Sequence, residues 1–206
     1  MQQRDKEEDP LFKEITKHLL EDEKPSIYLN NLLQDKRFMQ YPYKMLYDLK
    51  GTKQSPEHHP EGDAWNHTLL VVDYATKLKE LSKEPLVFMW AALLHDIGKP
   101  KTTRIRKGKI TSYDHDKVGE KLAIEFLEFF VEDHEFIEKV TNLVRYHMHI
   151  LFVVKKLPYA DKKGLLNKTD VREVALLGYC DRMGRTNQDR RRVRKDIEQF
   201  YSLMTK

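Results

Sequence analysis

Apolar residues recur three and four positions apart along most of this chain, and the spacing predicts helices separated by short polar breaks. Leu11, Ile15 and Leu19, with His18 beside them, share one face of a short helix from about Pro10 to Leu20. Leu29, Leu32 and Leu33, then Met39, Leu46 and Leu49, predict two more short helices, and Gly51 stands where the second should stop. Residues 51–63 contain Pro56, Pro60 and Gly62 and read as a loop. Ala64 to Leu81 reads as a helix with His67 in its first turn. Pro85 opens a helix from Leu86 to Ile97 that is apolar nearly all round and so should be buried. Gly98 and Pro100 stop it, which puts His95 and Asp96 in its last turn. Residues 100–113 are basic and read as a loop or a short hairpin around Gly108. Val118, Leu122, Phe126, Leu127 and Phe130 predict a helix beginning near Asp114, and Phe136 to Val144 another ending near His147. Val171 to Met183 forms an apolar helix, and a basic amphipathic helix follows with Val193, Ile197, Phe200 and Leu203 on one face. The expected fold is therefore all-α, with no internal repeat or low-complexity linker. Residues 1–8 are expected to fray, residues 1–52 to form an N-terminal helical arm and residues 53–206 the main domain, the two making one compact unit.

Composition narrows the class. The chain has 206 residues, 40% hydrophobic and 34% charged, which suits a globular domain with a heavily charged surface. Eight glycines and eight prolines are few for an all-β protein of this length. The lone cysteine, Cys180, rules out a disulfide within the chain and reads as a small core residue in a reducing compartment. No apolar run resembles a signal peptide or a membrane span, so a cytoplasmic protein without a membrane partner is expected. The net charge of +4 allows attraction to phosphate-bearing substrates without demonstrating nucleic-acid binding. Oligomeric state is not legible.

The histidines carry the chemistry. His95 and Asp96 are adjacent, so an imidazole nitrogen and a carboxylate oxygen can reach one ion. His67 stands on the preceding helix, His115 starts the following one, His147 ends the next, and Asp181 lies on a later apolar helix. Alone, His67 or His115 would be an ordinary surface or helix-end histidine. Asp96 and Asp181 are harder to explain that way, because each follows an apolar stretch where an unpaired charge is costly. Either could cap a helix or pair with a cation, but a metal accounts for both together. Mixed imidazole and carboxylate ligands suit zinc, iron, manganese or cobalt better than calcium. Lys99, Lys101, Arg104, Arg106 and Lys107 follow the doublet, and Lys99 is the one placed to grip phosphate beside the ion. His58 and His59 read as loop-packing residues, Arg190, Arg191, Arg192 and Arg194 as a solvated face, and Phe126, Phe129 and Phe130 as core.

The string Ala91-Ala92-Leu93-Leu94-His95-Asp96-Ile97-Gly98-Lys99 resembles the signature of the HD superfamily of metal-dependent phosphohydrolases, over roughly residues 56 to 186. His67 matches its first histidine, His95 and Asp96 its doublet, and Asp181 its closing aspartate. A closer similarity is to the HD domain attached to bacterial CCA-adding tRNA nucleotidyltransferases. It rests on Gln54 to Asp63 before His67 and on Asp181-Arg182-Met183-Gly184-Arg185. The chain carries no nucleotidyltransferase motif and is expected to be a free-standing relative. His115 and His147 match two further histidines of HD proteins that bind two metals. His149 competes for the role of His147, and Asp114 stands where the tRNA-enzyme domains usually have glycine.

The resemblance implies an HD-type helical bundle and metal-dependent hydrolysis of a phosphate ester, either a phosphomonoester or a 2′,3′-cyclic diester on a nucleotide or an RNA end. It implies one or two divalent ions, drawn from Mn, Fe, Co, Ni, Zn or Mg, held by His67, His95, Asp96 and Asp181. His115 and His147 are expected to hold a second ion or to face the phosphate, with Asp96, Lys99, His115 and His147 as the catalytic set. The expected partner is a small phosphate ester such as a nucleotide, with RNA a second candidate. Two rival readings stand: an HD-type di-iron oxygenase, and a non-catalytic RNA-binding HD module.

Overall fold

The structure is a computed structural model that describes residues 9–186 and 188–205. The fraying expected of residues 1–8 lies outside the described residues.

Helix starts follow local chemistry. α1 (Pro10–Glu21) opens with Pro10 in its first turn and with the Asp9 carboxylate accepting from the Phe12 N–H, and it buries Leu11, Ile15 and Leu19. α2 (Pro25–Asn31) and the single turn α3 (Lys44–Tyr47) follow. α4 (Ala64–Thr76) is capped by Asp63, whose carboxylate accepts from the Asn66 N–H. α5 (Pro85–Leu94) buries every residue from Val87 to Leu94. α6 (Lys99–Thr102) leads into a hairpin of β1 (Arg104–Arg106) and β2 (Lys109–Thr111), paired antiparallel with Arg104 opposite Thr111. Lys107 and Gly108, both at positive φ, make its two-residue turn. α7 (His115–Glu128), α8 (His134–Tyr146), α9 (His149–Val154), α10 (Lys162–Lys168), α11 (Val171–Met183) and α12 (Arg190–Met204) complete the bundle.

α5 is the axis of the molecule, because a helix apolar on all sides must be covered on all sides. α1, α4, α8 and α11 pack around it, α7 pairs with α8, and α12 lies on α9 and α11. The Trp90 indole N–H donates to the Thr16 hydroxyl at 3.2 Å, pinning α1 to α5. The Ser26 hydroxyl donates to Asp73 at 2.7 Å, pinning α2 to α4. Leu11 of α1, Leu29 of α2 and Leu46 of α3 thus share one core with α4, α5 and the later helices. Phe126 and Phe130 are buried in it, with the Phe130 ring 4.8 Å from that of Phe12 and 4.9 Å from that of Tyr43.

Three element assignments shift. α4 ends at Thr76 rather than Leu81, and residues 79–81 form a separate 3₁₀ turn. α5 ends at Leu94, so His95 and Asp96 lie just beyond the helix. There the chain tightens into three-residue turns, with Ile97 N–H bonded to Leu94 O and Lys99 N–H to Asp96 O. α9 and α10 are additions that the apolar spacing did not predict; both are short, below the length at which a periodic stripe is legible.

Gly98 makes the tight turn between α5 and α6 fit against α7. A Cβ there would lie 2.1 Å from the His115 carbonyl oxygen and 2.7 Å from the Gly119 nitrogen, so only hydrogen is accommodated. This close approach brings the segment carrying His95 and Asp96 onto the start of the helix carrying His115.

Candidate metal centre

The six residues expected to bind metal converge. Asp96 is at their centre, and its side chain is almost wholly buried. Its Oδ2 lies 3.3 Å from His95 Nε2 and 3.9 Å from His67 Nε2. Its Oδ1 lies 3.5 Å from His115 Nε2 and 4.0 Å from His147 Nε2. His67 Nε2 meets Asp181 Oδ1 at 2.9 Å, across 114 positions of chain. His67, His95 and Asp96 form one group able to share an ion, and Asp96, His115 and His147 form another.

The ring orientations follow from the turns that carry them. His95, His147 and His115 each place Nδ1 on a carbonyl oxygen three residues back, Ala92 at 2.8 Å, Val144 at 2.6 Å and Ser112 at 2.7 Å. A carbonyl only accepts, so each Nδ1 carries the proton and each Nε2 presents a lone pair toward Asp96. This is the usual support of a metal-bound imidazole. His95 Nε2 is buried without a hydrogen-bond partner, 3.3 Å from an Asp96 Oδ2 whose near cation is the Lys99 ammonium, and an ion between imidazole and carboxylate would relieve the unpaired nitrogen. The donor set therefore fits a divalent ion of the zinc, iron, manganese or cobalt kind.

The electrostatics suit a cation. Burial opposes ionisation of Asp96, but the charges of His95 and Lys99 outweigh it and hold its carboxyl well below the usual range. Asp181 is likewise held low against burial, by Arg185 and His67. Burial pushes His147 down to about 3 and lowers His115, leaving both imidazoles neutral, as ligation requires. Burial also opposes charge on His95, yet the Asp96 carboxylate raises it above its ordinary value. A negative field of that kind also attracts a metal cation.

Residues outside the expected set complete the site. Glu61, two residues before the Asp63 cap, places Oε1 2.8 Å from His59 Nδ1 and 2.9 Å from His67 Nδ1. The His67 contact is close but lies off the direction of a hydrogen bond. Glu61 is held well below the usual carboxylate range because the His59 and His67 contacts overcome its burial. Arg185 places a guanidinium nitrogen 3.2 Å from Asp181 Oδ2. Neither role is legible from periodicity, since both residues lie outside helices. His59 joins the site through Glu61, while His58 is exposed.

Lys99 is buried, with Nζ 2.7 Å from Asp96 Oδ2 and a hydrogen bond to Gln54 Oε1. Lys101, Arg104, Arg106 and Lys107 are exposed on α6 and the hairpin. His149 turns away from Asp96, and its Nε2 accepts from the Asp161 N–H at 3.2 Å. His147, not His149, therefore faces the centre. Asp114 adopts φ +58, the left-handed conformation that glycine takes freely and aspartate tolerates, so the departure at this position preserves the backbone. Cys180 is buried, and burial pushes its thiol up.

Residues 64–183, more than half of the chain, match the family model of the HD domain. The Multifunctional CCA protein of Pseudomonas fluorescens (strain SBW25) is 33% identical over 138 residues, which cover 67% of this chain and 32% of that protein. The protein of that name from Actinobacillus pleuropneumoniae serotype 5b (strain L20) is 36% identical over 104 residues, 49% of this chain and 24% of its own. That of Hahella chejuensis (strain KCTC 2396) is 31% identical over 134 residues, 65% and 30% respectively. The chain thus spans about a third of the length of the curated relatives it matches. With the doublet His95-Asp96 inside the matched region and imidazoles gathered around it, the chain belongs to the HD domain family, a superfamily of metal-dependent phosphohydrolases.

Proposed function

We propose that the protein hydrolyses a phosphate ester on a nucleotide or an RNA end, as a phosphomonoesterase or a 2′,3′-cyclic phosphodiesterase, with one or two divalent ions. The observation that carries this reading is the placement of Asp96 between two imidazole groups, His67 with His95 on one oxygen and His115 with His147 on the other. His67, His95, Asp96 and Asp181 would hold one ion. Asp96, His115 and His147 would hold a second, or His115 and His147 would face the phosphate. A bound divalent ion supplies acidification of water and stabilisation of charge on phosphate oxygens.

The chain's own groups prepare the site. Backbone carbonyls fix three rings in the ligating tautomer, so no reorganisation is needed when substrate arrives. Lys99 adds a fixed positive charge beside Asp96 for an anionic ester. Similarity to the Multifunctional CCA proteins supports a substrate related to RNA ends or nucleotides. No helix among the described residues is long and apolar enough to cross a membrane.

The test compares metal-loaded protein, chelator-treated protein and Asp96→Ala on nucleoside monophosphates and 2′,3′-cyclic nucleotides. Metal-dependent release of phosphate or monoester, lost in the other two preparations, is expected. Equal rates in all three would sink the reading. Oxygen uptake coupled to substrate loss, without ester hydrolysis, would replace it with oxygenase chemistry.

A further inference from the structure

Beside the candidate metal centre lies a cavity of about 480 Å³ that, of the expected ligands, only His115 borders. It is lined by Arg106, Tyr113, His115, Leu151, Phe152 and Tyr159, among others. His115 is the shared wall: its Nε2 points at Asp96, while the residue also borders the cavity. The lining is unusual for a surface left to water. Tyr113 is 63% exposed and Tyr159 64% exposed, and the Tyr159 ring meets that of Phe152 edge-on at 5.7 Å. The Arg106 guanidinium lies 4.8 Å from the centre of the Tyr113 ring, putting a cation and a π-face together at the rim.

Two carboxylates, Asp114 and Asp116, also line the cavity, but each is already neutralised. Asp114 is paired with Lys117 at 2.8 Å, and Asp116 is bound by Arg145. Arg106 has no ion pair among the described residues. The space is of ligand size, flat aromatic walls are available, and Arg106 adds positive charge to the lining.

We propose that this cavity receives the nucleobase of the ester whose phosphate lies at Asp96, with Tyr113 and Tyr159 as its stacking surfaces. The inference rests on the phosphate-ester reading above and deepens it by naming where the base of that substrate is held. Aromatic stacking recognises any base by its π-face, so a preference for nucleotides with little distinction among bases follows. The source of the base is either a free nucleotide or the last residue of an RNA.

The test is calorimetry on the metal-loaded chain with two phosphonates, the analogues of AMP and of ribose 5-phosphate in which carbon replaces the ester oxygen. Nothing is then turned over, and binding is read without activity. The AMP analogue should bind about ten-fold tighter, a stacking-sized preference. Tyr113→Ala and Tyr159→Ala, both at exposed positions, should reduce that preference to under about three-fold. Ile27→Ala, exposed on α2, should leave it intact. Competition by a short RNA ending in a 2′,3′-cyclic phosphate would assign the cavity to a terminal base, and failure to compete would assign it to free nucleotides. Equal affinity for the two phosphonates, or a preference that survives both tyrosine substitutions, would overturn the proposal. Ester hydrolysis without the preference removes the cavity alone. A tyrosine-dependent preference in a chain that hydrolyses no ester keeps the cavity and removes the phosphohydrolase reading.

Discussion

His115 Nε2 and His147 Nε2 lie 3.2 Å apart, although each ring has already committed its proton to a backbone carbonyl through Nδ1. Two lone pairs at that distance need a proton or a cation between them. Asp96 Oδ1, 3.5 Å from His115 Nε2, completes a three-donor face on this side of the site. The other Asp96 oxygen serves His67 and His95, so the two faces are separable by mutation.

Metal analysis after reconstitution is therefore expected to give about two ions per chain, and His115→Ala about one. The retained ion should be the one held by His67, His95, Asp96 and Asp181. Unchanged stoichiometry in His115→Ala would place His115 outside the metal shell and leave it facing phosphate.

Glu61 is expected to act through His67 rather than on substrate. Its carboxylate touches Nδ1, and a negative partner there raises the ligand strength of Nε2. Glu61→Gln is expected to weaken metal binding about 10–100-fold, the size seen when an outer-shell partner is removed. Competition with a chromophoric chelator measures this directly. The melting temperature of chelator-treated protein serves as the control, because a purely structural role would lower it without changing affinity.

Gly98→Ala should be costly for a reason unrelated to ligands. The added methyl meets backbone atoms of His115 and Gly119, which cannot rotate away. Overpacking of this kind costs about 1–3 kcal/mol or more. For a chain of this size that lowers the melting temperature by several degrees, on the order of 2–4 °C per kcal/mol. Since the strain falls on the start of α7, metal affinity should fall as well. A variant as stable as wild type would show that the turn can move away from α7.

Asp170 caps α11, the helix that delivers Asp181, by accepting from the Arg172 N–H, and it pairs with Lys83 at 2.6 Å. Burial opposes its ionisation, but the Lys83 and Arg172 hydrogen bonds lower its pKa overall. A carboxylate whose folded pKa is depressed contributes stability that is present above the unfolded value, about 3.9, and is lost as pH falls through the folded one. Asp170→Ala should thus cost about 1 kcal/mol near pH 7, the usual value of an N-cap. The difference from wild type should shrink below about pH 4. Denaturant titrations at pH 7 and pH 3 check both parts; a gap that widens in acid would contradict the assignment.

Periodicity and residue type made much of this protein legible before its fold. A helix apolar on every side, Val87 to Leu94, has to be central, because exposing any face of it to water is unfavourable. An aspartate at the end of such a helix has to cap it or find a cation, which marks Asp96 as a candidate ligand from the sequence. Those are local facts, settled within a few turns of chain. The approach of His67 to Asp181 across 114 positions is not local; the packing of α4 against α11 decides it. The tautomers of His95, His115 and His147 are set by the turn each residue ends or begins. Glu61 sits in a loop without period, where nothing in the spacing marks which way a carboxylate will face. The cavity beside His115 is lined by α9, too short to show a period, together with the hairpin expected around Gly108, and their meeting is not written in either segment. Short-range patterning tells which side chains must leave water; only the long-range packing of those buried faces determines which of them meet.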